Sequence, residues 1–96
     1  MVQELKSTAE FDKTVSGDAV VVVDFFAEWC GPCVRFAPEF EQLAAEHPNM
    51  VFVKVNVDTV PELAQRYSVT SIPAFKVFKG GQVVGEFVGA NKEALK

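Results

Sequence analysis

An α/β fold, a central mixed sheet of about five strands with helices on both faces, is the class this sequence predicts, and three observations predict it. Strand-like and helix-like stretches alternate as β α β α β α through the helix that opens at Pro61. The run VVVVDFF, Val20 to Phe26, is continuously β-branched and aromatic, as strands buried on both faces are. FKVFKGGQVVGEFV, Phe75 to Val88, reads as two strands joined at Gly80 and Gly81, a hairpin that adds an antiparallel pair to an otherwise parallel sheet.

A short extended segment near Val2 comes first. Ser7 to Ser16 then reads as a helix, because Ser7 and Glu10 have capping-box spacing, Phe11 and Val15 share one face, and Gly17 stops it. Val20–Phe26 is the central strand. Beyond the cysteines a helical pattern runs to about Glu46, with Phe36, Phe40, Leu43 and Ala44 on one side and Pro38 expected to kink it into two angled halves. Val51 to Val57 is the next strand. Thr59 as N-cap, Pro61 as first helical residue and Glu62 in the first turn predict a short helix. Asn91 is placed to cap a last helix, which would end early at Lys96. No repeat, linker or low-complexity stretch interrupts the pattern, so residues 1–96 read as one domain.

Ninety-six residues, 49% hydrophobic with nine phenylalanines, suffice for one packed core. Thirteen acidic side chains against nine basic give a formal net charge of −4, with no Lys or Arg cluster to follow a phosphate backbone or an anionic membrane. Nucleic acid and membrane are therefore not expected as partners. The opening MVQELKSTAEF has neither a basic leader nor an apolar stretch long enough for a signal peptide, and the expectation from it is a cytoplasmic protein.

Chemistry concentrates in FFAEWCGPCVRF, Phe25 to Phe36, which holds both cysteines. An iron–sulfur cluster needs four thiolates, and a c-type haem needs His where Val34 stands. Counting leaves structural zinc and plain buried thiols open. Zinc, however, would have only His47 to call on, about four helical turns away. Inert thiols give no reason for the pair to lie between a strand end and a helix start. The pattern points to a reversible dithiol and disulfide pair. At a helix N-terminus the exposed N–H groups and the dipole favour a thiolate, so Cys30 is the expected nucleophile. Cys33, one turn later, is the expected resolving thiol, its attack on a mixed disulfide being intramolecular.

WCGPC after an Asp-containing strand, a proline in the following helix, and SIPAF ahead of a Gly-Gly hairpin together resemble the thioredoxin family over nearly the whole chain. The resemblance implies the thioredoxin fold and a thiol-disulfide oxidoreductase that reduces protein disulfides and maintains cell redox homeostasis without a bound cofactor or metal. It implies a cis bond before Pro73 where most X-Pro bonds are trans. It makes Asp24 the buried general base for Cys33, with Lys54 modulating it. Gly31 and Pro32 match the reducing members; oxidising relatives carry a His there. Trp29, Val57, Ile72, Val88, Gly89 and Ala90 fall on the family's apolar docking surface beside Pro73, where the backbone of Ile72 would pair with an extended client. Tyr67, His47 and Arg66 are read as ordinary surface or core residues.

The implied partners are an NADPH-dependent thioredoxin reductase and clients with reducible disulfides, such as ribonucleotide reductase, peroxiredoxin or methionine sulfoxide reductase, met by a monomer. Val34 and Arg35 stand where many members have Lys first, so the charge that partners meet differs. The alternative is a thioredoxin-like interaction module that binds without turnover.

Overall fold

The computed structural model describes residues 2–88, so Gly89, Ala90 and the expected cap at Asn91 lie outside it. The elements are β1 (Gln3–Glu4), α1 (Thr8–Val15), β2 (Val21–Phe26), α2 (Gly31–Glu46), β3 (Val51–Asn56), α3 (Pro61–Arg66), β4 (Ala74–Lys79) and β5 (Gln82–Val88). They form one five-stranded sheet in the order β1-β3-β2-β4-β5. β1, β3 and β2 run parallel, while β4 and β5 add antiparallel. The sheet is mixed, and VVVDFF is its middle strand, as a run apolar on both faces apart from Asp24 favours.

Alternation along β2 divides the core. Val21, Val23 and Phe25 pack with Phe11 and Val15 of α1 and Leu63 of α3. Val22 packs on the opposite face with Phe36, Phe40, Leu43 and Ala44 of α2 and with Phe52 and Phe75. Period two places Asp24 on that α2 face, between Val22 and Phe26. Edge-to-face rings knit each layer: Phe36 with Phe75 at 5.2 Å and Phe40 with Phe52 at 5.4 Å on one side, Phe11 with Phe78 at 5.4 Å on the other.

Local chemistry sets the ends. Ser7 Oγ accepts from the Glu10 amide at 3.1 Å, and Glu10 Oε1 accepts from the Lys6 amide at 2.8 Å. Pro38 lies inside α2 without ending it. Gly80 and Gly81, with φ 61° and 81°, make the tight turn between β4 and β5 that a side chain would strain. The cap of α3 differs from expectation: Val60, not Thr59, is the N-cap and makes no side-chain cap bond. The turn is built on Asn56 instead. Its Oδ1 accepts from the Asp58 amide at 2.8 Å, and its carbonyl accepts from Thr59 and Val60, which holds Thr59 inside the turn.

Candidate active site

β2 ends at Phe26, and after three intervening residues the chain reaches, at the head of α2, Cys30, whose amide donates to the Ala27 carbonyl at 3.2 Å. Cys30 is the N-cap of α2 in extended backbone, and its Sγ accepts from the Cys33 amide at 3.2 Å. Pro32 in the first turn has no N–H to leave unpaired. One turn brings the two thiols together: Cys30 and Cys33 are joined by a disulfide, with their Cα atoms 5.2 Å apart. That amide and the helix's positive end are aimed at Cys30 Sγ, an arrangement that favours negative charge on this sulfur.

Both cysteines are nearly covered, at 4% and 3% exposure, by Ala27, Phe26, Val57 and Ile72. Cys30 Sγ lies 3.9 Å from the Ile72 carbonyl oxygen. The Ile72-Pro73 peptide is cis, and Pro73 is buried at the start of β4. On the rim Trp29 is 72% exposed and its Nε1 donates to Asp58 Oδ2 at 2.8 Å. Val57 and Ile72 are half-buried beside it. Val88 pairs with Ala74 at the end of β5, and Gly89 and Ala90 lie outside the described residues.

Behind the disulfide, Asp24 is 4% exposed and its Oδ1 has no hydrogen-bond partner among the described residues. Burial pushes its pKa up from 3.8 to about 7, against the nearby ammonium of Lys54, which pulls it down. Lys54 is its register neighbour on β3, and Nζ lies 5.2 Å from the Phe26 ring centroid. Asp24 and Cys33 line one pocket of about 190 Å³ together with Lys54, Phe26, Glu28, Val34 and Ala37. Among the described residues no group of three or more His, Cys, Asp or Glu side chains could hold a metal. No helix there is long and apolar enough to cross a membrane.

The structure thus gathers Cys30, Cys33, Asp24, Lys54, Trp29, Val57, Ile72 and Pro73 at one end of the sheet. Tyr67 packs on Phe11 and Phe78, Arg66 pairs with Asp12, and His47 stacks on Phe52, all away from the thiols. Sequence reading missed Asp58 and Glu28. Asp58 was open to inference, because parallel strands β2 and β3 end in register, Phe26 beside Asn56, so the loops after them meet.

The chain matches the family model described as Thioredoxin over residues 2–96. It is 50% identical to thioredoxin 1 of Plasmodium falciparum over 96 residues, covering 100% of this chain and 92% of that protein. Human thioredoxin is 44% identical over 98 residues, covering 100% and 93%. Among solved structures, Plasmodium falciparum thioredoxin superposes with TM-score 0.93 at 48% identity, over 97% of this chain and 91% of that one. Trypanosoma brucei brucei thioredoxin gives 0.95 at 33% identity, over 99% and 84%. A chain from work on the thiol resolving mechanism of yeast mitochondrial 1-Cys peroxiredoxin via glutathione and thioredoxin systems gives 0.92 at 36% identity, over 98% and 89%.

Proposed function

The chain belongs to the thioredoxin family and is a dithiol-disulfide oxidoreductase that reduces protein disulfides, and we propose the following roles for its residues. Cys30, as thiolate, attacks one sulfur of a client disulfide; the client S–S bond breaks, and the other client sulfur leaves as a thiolate that takes up a proton. Cys33 then gives its proton to Asp24 and attacks Cys30 Sγ. The mixed disulfide breaks, the second client thiol leaves, and two electrons have passed to the client. The product on this chain is the Cys30–Cys33 disulfide of the structure.

The observation that carries this is the pair of thiols at the N-cap of α2 with an unpartnered buried carboxylate in the same pocket. A pKa near 7 lets Asp24 accept a proton at neutral pH and release it afterwards. The pocket has room for water to relay that proton. Lys54 sets how far the carboxylate is raised. Trp29, Val57, Ile72 and Pro73 dock an extended client segment beside Cys30. The sulfurs carry the electrons, so no bound cofactor is required.

The reductant is an NADPH-dependent thioredoxin reductase, and the clients are proteins with reducible disulfides. A peroxiredoxin is the client class with most support, from the peroxiredoxin study that supplied one structural neighbour. The setting is a reducing cytoplasm, where a dithiol of this kind is kept reduced. The test is coupled reduction of insulin with NADPH and a thioredoxin reductase. Sustained NADPH oxidation is expected; stoichiometric client binding without turnover would favour an interaction module.

A further inference from the structure

Helix N-termini favour acidic side chains, because the first-turn N–H groups carry partial positive charge. α1 has Glu10 there and α3 has Glu62, but the first turn of α2 has no acidic residue. A cation is folded over it instead. A Cβ built on Gly31 would lie 3.1 Å from Arg35 Nη1, 3.8 Å from Cζ and 3.9 Å from Nη2, so the guanidinium rests across the bare Cα between Cys30 and Pro32. Helical side chains lean toward the N-terminus and meet residues four positions back, which is how Arg35 reaches Gly31. This placement opposes the helix dipole, so helix stability does not account for it.

Nor does an ion pair. Among the described residues the ion pairs are Arg66–Asp12 and Lys76–Glu86, and Arg35 is in neither. Arg35 is exposed on a chain whose net charge is −4; Glu28 lines the pocket that holds Cys33, and Asp58 accepts from Trp29, the residue before Cys30. A client sulfur must come within bonding distance of Cys30 Sγ. The residues flanking that sulfur then pass within a side chain's length of the guanidinium on Gly31.

We propose that Arg35 is a specificity-determining residue that pairs with an Asp or Glu carboxylate beside the client's reactive cysteine. The guanidinium fork suits a carboxylate in two-point contact. It also offsets the repulsion that Glu28 and Asp58 would exert on an acidic client segment. The proposal rests on Cys30 and Cys33 being the reducing pair.

The test uses three disulfide peptides that differ only in the residue beside the reactive cysteine: Glu, Gln or Lys. Reduced protein is mixed with each, and the second-order rate constant for peptide reduction is measured for wild type, Arg35→Gln, Arg35→Glu and Arg35→Lys. The Glu-to-Lys ratio cancels any effect of Arg35 on the thiols themselves. Wild type should prefer the Glu peptide about two- to fivefold, the range for an exposed charge pair. Arg35→Gln should bring the ratio to one or below, Arg35→Glu should invert it, and Arg35→Lys should keep the preference. The preference should fade by about 0.5 M salt, where the screening length is only a few ångströms. Arg35→Gln should melt no lower than wild type, so lost selectivity is not lost fold. An unchanged ratio in Arg35→Gln, or an equal loss on all three peptides, would overturn the role of Arg35 while leaving disulfide exchange intact. Failure of wild type to reduce any peptide would overturn the exchange assignment and this proposal together.

Discussion

Replacing Asp24 by Asn should remove most of the pH dependence of stability between neutral and mildly acid solution. The carboxyl is buried without a partner for Oδ1, and its folded pKa is about 7 against 3.8 in the free group. The native state therefore holds a proton that the unfolded chain releases. Below pH 3.8 both states are protonated, and the contribution to stability is intact. Stability falls as pH rises from there and levels off above the folded pKa. At about 1.4 kcal/mol per unit, the full loss is about 4 kcal/mol, and about 3 kcal/mol of it falls between pH 5 and pH 8.5. Asn is neutral in both states and carries no such slope. Guanidinium melts of the oxidised proteins at both pH values give the double difference, in which all other groups cancel. The variant should be more stable than wild type at pH 8.5, by about the full loss. A wild type that loses no more stability across this range than Asp24→Asn would refute the reasoning and show the carboxylate to be solvated or paired.

The same substitution should slow catalysis at the second exchange: Asp24→Asn should accumulate mixed disulfide at pH 7 in rapid-quench experiments, with the defect shrinking at high pH, where hydroxide can deprotonate Cys33 without the carboxylate. Lys54→Gln should push the Asp24 pKa higher, since the ammonium is what holds it down; the pH at which stability levels off should then lie higher in Lys54→Gln than in wild type in a series of melts. Phe75→Ala empties a fully buried site that two α2 rings, Phe36 and Phe40, pack against, and should lower stability by about 3–5 kcal/mol, read from the denaturant midpoint.

Much of this architecture was legible because local and global signals agree. The run from Val20 to Phe26, apolar on both faces but for Asp24, suits a central strand, and Gly80 and Gly81 occupy the positive-φ positions that a tight hairpin demands. Asp24 was legible as buried because its neighbours in sequence are Val23 and Phe25, and a strand hydrophobic on both faces leaves it nowhere exposed to point. Thr59 misled because cap preference is local, whereas the turn before α3 is decided by Asn56, whose side chain and carbonyl take up the amides of residues 58–60. The Trp29–Asp58 bond joins residues 29 apart and needs the β2–β3 register, not composition, to be seen. Arg35 read only as a local charge. Its position over Gly31 depends on a side-chain path that no periodicity encodes.

The central claim is that Cys30 attacks and Cys33 resolves. Intact-mass spectrometry of the Cys30→Ser and Cys33→Ser proteins, each mixed with a disulfide-bonded model substrate, tests it most directly. Cys33→Ser should carry the substrate as a mixed disulfide on Cys30, while Cys30→Ser should remain unmodified. An adduct that accumulates on Cys30→Ser and not on Cys33→Ser would contradict the account.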